Sequence, residues 1–452
     1  MPEALHLKPQ EIDTVEKRGK YTVAIVGCGQ KGILYGTAFA EAGFKVVCTD
    51  ADQSVVKRLS KGKTPFSERD VEFSLKNFMR TGMFGATSDL KTAIAQSDIV
   101  MLTISVKIDE KKNSDYSEIE NYGKQIGTAL KRGALVVYGS VSGFGFMEGI
   151  LKETLENASG LKAGEDFGLA YNPILISEEN YPMETLSDQE LRVAANDKTS
   201  RDAASAVLGT ITKKGVKQVS NFQTAELATL FVAARWEANV ALTNELAVIC
   251  ENIGMDYYET LELLQPEMLA SSFAPTIAEE VRRNEAYLLM ESAENLNAHL
   301  RLPAVARQIN ESMVKHAVDL IHGTLRSCGK TVRRARVTVL GLARPGTAGD
   351  AFVKALEAKG AKVNLYDPLS SKKEAVDVTR VPVNTLSQAT EGSDCIIILT
   401  GQEQFKRLNL KKLRAAMRTP AAIIDLAGKL DPQKIEKEGF IYSGLGRGTG
   451  KK

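Results

Sequence analysis

A six-residue segment near the start of the chain has the composition of a phosphate-binding turn. The six residues are Gly27, Cys28, Gly29, Gln30, Lys31 and Gly32. In this G-x-G-x-x-G pattern the first glycine permits a tight turn, the second lets the backbone approach a pyrophosphate, and the third allows close helix–strand packing. An apolar run over 23–26 precedes the segment and a helical pattern over 33–42 follows it. N–H groups at a helix start favour negative charge, so the segment predicts a dinucleotide site rather than a glycine-rich turn without a ligand.

An acidic residue and two serines extend this predicted site. Asp50 ends the next apolar run, 23 residues after Gly27. It is placed to accept hydrogen bonds from the adenine ribose hydroxyls and would repel a 2′-phosphate, so NAD is favoured over NADP. Ser105 and Ser140 follow two further apolar runs and are added to the predicted cofactor-binding residues.

The elements that must position these residues alternate between strands and helices. Apolar runs over 45–49, 99–104, 134–138 and 167–171 are predicted as strands. Such alternation predicts an α/β fold with a parallel, doubly wound sheet. The predicted domains are a polar tail or short surface helix over 1–20, an NAD-binding Rossmann domain over 21–215, a central long-helix domain over 216–330 and a C-terminal Rossmann-like domain over 331–452.

The central domain is predicted from a long uninterrupted helix. Residues 224–253 contain no Gly or Pro, and Gly254 provides a stop. Such a helix is about 45 Å long. A helix of this kind between two domains is often the contact of a homodimer, and the alternative is a purely internal helical core.

The opening pattern returns near the end of the chain, over 336–368. It again gives a strand, a glycine-bearing turn at Gly341, a helix, and a second strand that ends in Asp367. The turn does not keep G-x-G-x-x-G, and Pro345 removes an N–H where a phosphate would need one. The last domain is therefore expected to bind something other than NAD, or nothing.

Composition excludes several other classes of function. The net charge of +2 is too balanced to indicate a nucleic-acid or anionic-membrane partner, and no run approaches the 18 apolar residues of a membrane span. Five cysteines and four histidines show no metal-ligand spacing. The odd number of cysteines fits a reducing compartment, so a cytoplasmic protein without a metal is expected.

Several segments resemble the UDP-glucose/GDP-mannose dehydrogenase family. They are 86–98, Tyr171-Asn172-Pro173, Ala225-Glu226 with Asn244-Glu245, 303–311, and the C-terminal 439–447. The resemblance implies an NAD-dependent oxidoreductase that acts on a CH–OH group of a small-molecule substrate, a nucleotide sugar. Members of the family usually carry out a four-electron oxidation to a carboxylate through a cysteine thiolate.

The chain departs from the family at the positions that carry this chemistry. The stretch that corresponds to the family's cysteine, 276–288, contains no Cys, and none occurs between 251 and 327. In the other positions of the site, Ile174 replaces an acid, Thr229 a lysine, Ala233 an asparagine and Val141 a threonine. In the second domain the Lys and Arg after G-L-A-F and the Arg of D-G-R are missing, and Arg344, Asp425 and Lys429 stand nearby.

Three residues remain as candidates for catalysis. Glu226 could act as a base, and the alternative is a solvated carboxylate at a helix start. Asn172 could orient a substrate hydroxyl, and the alternative is a turn role before Pro173. Glu280 falls near the place of the missing nucleophile and could act as a base in a two-electron alcohol oxidation.

Three functions stay open on the sequence. The first is an NAD-dependent oxidoreductase related to nucleotide-sugar dehydrogenases, with two-electron or otherwise atypical chemistry. The second is a non-catalytic NAD-binding regulatory or partner protein. The third is a dehydrogenase of a non-nucleotide hydroxy acid, against which Thr229 counts because such enzymes also rely on a helix lysine.

Overall fold

A computed structural model describes residues 4–64, 69–109, 111–173, 184–264, 274–277, 283–341, 347–367 and 385–448. The chain divides into two compact units, Met1–Ala234 with Asn284–His299, and Arg235–Arg283 with Leu300–Lys452. One long helix begins in the first unit and ends in the second. None of the helices in the described ranges combines the length and apolar character needed to cross a membrane.

The described residues of the first unit form an eight-stranded sheet, in the order β10-β9-β8-β7-β4-β1-β2-β3. Its strands are β1 Thr22–Val26, β2 Lys45–Thr49, β3 Phe84–Thr87, β4 Ile99–Leu102, β7 Leu135–Tyr138, β8 Gly168–Tyr171, β9 Leu191–Ala194 and β10 Val216–Val219, with β5 Lys107–Ile108 and β6 Ser114–Asp115 in a separate hairpin. All neighbouring strands of the sheet are parallel except β8 and β9. The predicted α/β fold with a doubly wound sheet is confirmed.

The helices of this unit connect its strands. They are α1 Val15–Arg18, α2 Gln30–Glu41, α3 Gln53–Leu59, α4 Arg69–Arg80, α5 Leu90–Ala95, α6 Ser117–Ala129, α7 Lys152–Ser159, α8 Glu184–Ser187 and α9 Lys198–Leu208. A π-helical turn, Met147–Leu151, leads into α7. The four residues of β4 and of β7 are all buried, as expected for central strands covered on both faces.

Residues 1–20 are predicted as a polar tail or a short surface helix, and the structure describes 4–20 of them. The exposed helix α1 agrees with the second alternative, but the segment is not a free tail. Leu5, Leu7 and Ile12 are buried, and the Leu5 N–H donates to the carbonyl of Gly133 at 2.9 Å. Three apolar side chains in a mostly polar segment are enough to dock it on the sheet.

The second unit contains five parallel strands in the order β12-β11-β13-β14-β15. They are β11 Arg336–Leu340, β12 Lys362–Tyr366, β13 Cys395–Ile398, β14 Ala422–Asp425 and β15 Ile441–Gly444. Its other helices are α11 Tyr257–Glu262, α13 Arg301–Ser327, α14 Ala348–Ala358, α15 Leu386–Thr390, α16 Leu410–Ala416 and α17 Pro432–Lys437; α12, Arg283–Asn295, belongs almost entirely to the first unit. The predicted second Rossmann-like sheet is therefore present.

The long central helix is confirmed as α10, Phe222–Ile253, and it ends at Gly254, whose φ is +76°. A buried polar network joins α10 to α13 in the second unit. The Arg307 guanidinium lies 2.8 Å from the Glu237 carboxylate, which also accepts a 2.8 Å hydrogen bond from Asn310. The Asn310 amide oxygen in turn accepts from Asn244 at 3.0 Å. Because charges are buried only when paired, this network fixes the register of the two helices.

Candidate functional site

The turn between β1 and α2 can be built only with glycine at two positions. Gly27 has a φ of +96°, and a Cβ added there would lie 2.6 Å from the Ile104 Cδ1 atom. A Cβ at Gly32 would lie 1.8 Å from the carbonyl oxygen of Gly27, so any side chain would collide with backbone. The sequence assigned a tight turn and close helix–strand packing to these positions, and the geometry agrees.

Gly29 has a different environment. It is exposed, and a Cβ added there would meet no atom within 4 Å. The residue is the N-cap of α2 and provides no side-chain cap, so the N–H groups of the first helical turn face outward. This bare backbone at a helix start fits a pyrophosphate, which needs close approach and N–H donors. Gln30 and Lys31, the first helical residues, are partly exposed beside it.

Asp50 is held in place by the same turn. One oxygen of its carboxylate accepts from the Cys28 N–H at 2.8 Å and the other from the Asp52 N–H at 2.9 Å. A carboxylate has about four acceptor positions, so it retains capacity for ribose hydroxyls. The phenol of Tyr122 lies nearby, and burial, followed by the charge of Asp50, raises its pKa. The sequence analysis missed Tyr122, because it lies on α6 far along the chain.

Ser105 and Ser140 follow the carboxyl ends of two neighbouring strands, β4 and β7. Their hydroxyl oxygens are 3.5 Å apart, and the buried Ser140 hydroxyl donates to the carbonyl of Thr103 at 2.9 Å. The strand order reverses between β1 and β4, and ligands of open α/β sheets bind at the carboxyl edge beside such a reversal. The structure thus brings both serines to the edge that carries Gly27.

The cysteines of this chain share one environment. All five cysteines fall in the described ranges, and each is free and buried. Contact with the Cys48 thiol, together with burial, raises the pKa of Cys28. Burial also raises the pKa of Cys328 and of Cys395. Since the thiolate is the nucleophile, burial together with a raised pKa makes these three thiols poor nucleophiles.

Glu226 is buried, so the expectation of a solvated carboxylate at the helix start is wrong. Its carboxylate accepts from the N–H groups of Gly145, at 2.7 Å, and Met147, at 2.9 Å. Burial raises its pKa despite these two hydrogen bonds. The partner loop lies some 80 residues away in sequence, and no local pattern around Glu226 indicates it.

Asn172 is also engaged within the fold. Its amide oxygen accepts from the Tyr35 hydroxyl at 2.6 Å, and its amide nitrogen donates to the carbonyl of Arg192 at 2.6 Å. The side chain is completely buried. These contacts give the side chain a structural role that joins distant segments, which differs from the turn role before Pro173 that the sequence left open.

Two further positions of the family resemblance lie on α10. Thr229 is buried and donates to the carbonyl of Ala225 at 2.7 Å, and Ala233 is buried without any polar group. Glu280, Ile174 and Arg344 lie outside the described residues. Within the described ranges, no group of three or more His, Cys, Asp or Glu residues could hold a metal ion.

The fold and the first site define a doubly wound protein with an intact dinucleotide turn and a second Rossmann-like sheet. Residues 21–212 match the NAD binding domain of the UDP-glucose/GDP-mannose dehydrogenase family, and residues 350–432 match the UDP binding domain of that family. The chain belongs to this family, and it carries the family's NAD-binding domain.

Relatives of known activity cover almost the whole chain. A UDP-N-acetyl-D-mannosamine dehydrogenase of Pyrococcus horikoshii is 26% identical over 438 residues, which are 94% of this chain and 99% of that protein. A UDP-glucose 6-dehydrogenase of Rhizobium meliloti is 24% identical over 449 residues, 94% of this chain and 99% of that protein.

Solved structures give the same result for the fold. The structure of the UDP-D-ManNAc dehydrogenase from Pyrococcus horikoshii has a TM-score of 0.80 and 25% identity, and the match covers 95% of this chain and 100% of that one. A UDP-glucose dehydrogenase from Pyrobaculum islandicum, at 20% identity, has a TM-score of 0.78 over 94% of this chain and 98% of that one.

Proposed function

We propose that this chain is an NAD-dependent oxidoreductase that oxidises an alcohol of a nucleotide sugar by two electrons and stops there. The observation that carries the proposal is the combination of an intact cofactor turn with five buried cysteines. When bound, NAD supplies the hydride acceptor for one alcohol-to-carbonyl step. A second oxidation to a carboxylate in this family requires a thiolate to capture the aldehyde, and this chain presents none.

The proposed cofactor residues divide the work of binding. Gly27 and Gly32 shape the turn, Gly29 and the first N–H groups of α2 receive the pyrophosphate, and Asp50 accepts from the adenine ribose. Ser105 and Ser140 line the carboxyl edge where the nicotinamide half would lie.

The test counts NADH per sugar. The purified chain is supplied with NAD and a panel of UDP-, GDP- and dTDP-sugars, and absorbance follows NADH while a carbonyl-trapping hydrazine detects aldehyde or ketone. We expect one NADH per sugar and a trapped carbonyl. Two NADH per sugar with a carboxylate product would overturn the proposal, and a matched relative that carries the usual cysteine serves as the two-NADH control.

A second candidate is an NAD-binding protein without catalysis. It is favoured by Glu226, Asn172 and Thr229, whose side chains are buried and each make hydrogen bonds within the fold. Calorimetric binding of NADH with no turnover on the whole sugar panel would establish this alternative and exclude the first.

We also propose that the chain acts as a homodimer through α10. Four apolar side chains of this helix are exposed in the second unit, Leu242, Leu246, Ile249 and Ile253, at spacings of four, three and four residues. Apolar residues that alternate at spacings of three and four form the contact line between two packed helices, here α10 and the α10 of a second copy. We expect a dimer by sedimentation velocity, weakened at least tenfold in Leu246→Lys but not in Glu245→Lys, which replaces an exposed charge beside it. An unchanged dimer in Leu246→Lys would place the contact elsewhere.

We also propose a cytoplasmic location, because free cysteines fit a reducing cytoplasm.

A further inference from the structure

The second sheet has its own reversal of strand order. In chain order its strands lie as 2-1-3-4-5, so the reversal falls between β11 and β13. At the carboxyl ends of these strands, Gly341 has a φ of +121°, and a Cβ there would lie 2.2 Å from the Thr400 hydroxyl oxygen. That buried oxygen has no hydrogen-bond partner among the described residues. Ligands of open α/β sheets bind in this position.

The segment after β14 forms a turn held by Asp425. The carboxylate of Asp425 is buried and accepts from the N–H groups of Ala427, at 3.1 Å, and Leu430, at 2.7 Å. Gly428 within the turn has a φ of +63°, and a Cβ there would lie 1.8 Å from the Tyr258 hydroxyl oxygen. The turn is thus fixed by its own hydrogen bonds and by close contact with Tyr258 of α11, and the residue after Gly428 is Lys429.

Lys429 lies across the end of the neighbouring strand. A Cβ at Gly401 would lie 2.6 Å from Lys429 Cε, so the lysine stem crosses the bare backbone of Gly401, one residue after Thr400. The side chain is exposed. The pKa of the Glu403 carboxylate is lowered first by its pairing with Lys406, and the charge of Lys429 contributes to lowering it further. A cation placed in this way at a strand-order reversal is suited to an anionic ligand.

We infer that Lys429, positioned by Gly401 and the Asp425 turn, binds a phosphate of the nucleotide part of the substrate. The inference rests on the proposed nucleotide-sugar function. Lys429 would replace the Lys and Arg side chains that the family carries in its second domain and that this chain lacks. Lysine binds phosphate as a compact point charge, and the Thr400 hydroxyl one residue from Gly401 can supply a hydrogen bond. A nucleoside, which carries no phosphate, would not make this contact.

The test measures binding of UDP and of uridine to the full chain by calorimetry. For Lys429→Met we expect UDP to bind about tenfold more weakly and uridine to bind unchanged, the loss typical of one charge-assisted hydrogen bond. Gly401→Ala displaces only the flexible end of the lysine and should weaken UDP binding in the same direction. Lys437→Met, which removes an exposed lysine on α17, is the matched control and should bind UDP normally.

The outcomes separate this inference from the proposed function. UDP binding that is equal in Lys429→Met and the unaltered chain would overturn the role of Lys429 and leave the nucleotide-sugar function standing. Failure of the unaltered chain to bind UDP, with normal NAD binding, would overturn both. An equal loss of UDP and uridine binding in Lys429→Met would show that the lysine supports the fold of the site rather than a phosphate.

Discussion

The Gly27 turn of the first unit and the Gly341 turn of the second start from the same backbone geometry and then diverge. Gly27 donates to the carbonyl of Thr49 at 2.9 Å, and Gly341 donates to that of Tyr366 at 3.0 Å. In both, the glycine has positive φ and packs against the second residue after a neighbouring strand, Ile104 after β4 and Thr400 after β13. The strand–turn arrangement is therefore shared.

The difference lies in the helix that follows each turn. Two residues separate Gly27 from α2, whose N-cap is a glycine without a side chain. Six residues separate Gly341 from α14, and the Thr347 hydroxyl caps it by accepting from the Asp350 N–H at 3.1 Å. A capped helix start is a poorer phosphate site than an open one. The comparison teaches that a Rossmann-like sheet can keep its glycine turn while the helix start beside it is closed by a side-chain cap. If the Lys429 proposal holds, the anion contact of the second sheet lies in a different loop from that of the first.

The largest expected effect tests whether the two units are stabilised separately. Arg307→Met removes the cation beside the buried Glu237 carboxylate, and such a change costs about 3–5 kcal/mol. The fluorescence of Trp236, the only tryptophan and the neighbour of Glu237, should report earlier unfolding in urea. NAD binding by the first unit should persist at urea concentrations just above that transition, where the second unit has unfolded.

The exposed Arg301→Met is the matched control and should change stability by no more than about 0.5 kcal/mol. If Arg307→Met unfolds at the same urea concentration as the unaltered chain, the buried network does not stabilise the second unit.

A reciprocal pair of substitutions compares the two turns directly. Gly32→Ala forces a Cβ against the Gly27 carbonyl, and Gly341→Ala forces one against Thr400. We expect each to weaken its own ligand about 10- to 100-fold, corresponding to about 1–3 kcal/mol of overpacking. Calorimetry with NAD and with UDP should show loss of NAD binding alone in the first variant and of UDP binding alone in the second. Loss of both ligands in either variant would mean that the turns do not act independently.

The smallest effect concerns the buried carboxylate of Glu226. Its pKa is raised above the usual 4.5, so the stability it contributes is complete below pH 4.5 and declines as the pH rises through the folded-state pKa. In Glu226→Gln we expect a loss of about 1 kcal/mol at pH 4, because one backbone N–H loses its acceptor. In thermal melts, the difference in stability between Glu226→Gln and the unaltered chain should become smaller as the pH rises towards 7.

Glu153→Gln, at an exposed position of α7, should show no such pH dependence. A difference between Glu226→Gln and the unaltered chain that widens with pH would show that the carboxylate is stabilised, not destabilised, by its surroundings.

Local spacing was enough to predict the first turn and the fold class. The glycines and Asp50 lie within 24 residues of one another, and their roles follow from backbone geometry that neighbouring residues determine. The length of α10 was predictable for the same reason, since it depends on the absence of Gly and Pro. The domain boundaries of the sequence analysis stay predictions.

Contacts between distant segments could not be predicted. Glu226 was expected in solvent because a carboxylate at a helix start usually lies there, but the loop at 143–147 covers it. Asn172 depends on Tyr35, 137 residues away. Lys429 depends on a bare backbone at Gly401 and a turn closed by Asp425, neither of which has a distinctive spacing in the sequence.

The burial of every cysteine has a practical consequence. Relatives that turn over through an accessible sulfur are open to alkylating agents, electrophilic metabolites and peroxide at the atom they depend on. This chain offers such reagents no exposed sulfur from cysteine, so any turnover it performs should survive oxidative stress that stops an enzyme with an accessible catalytic sulfur.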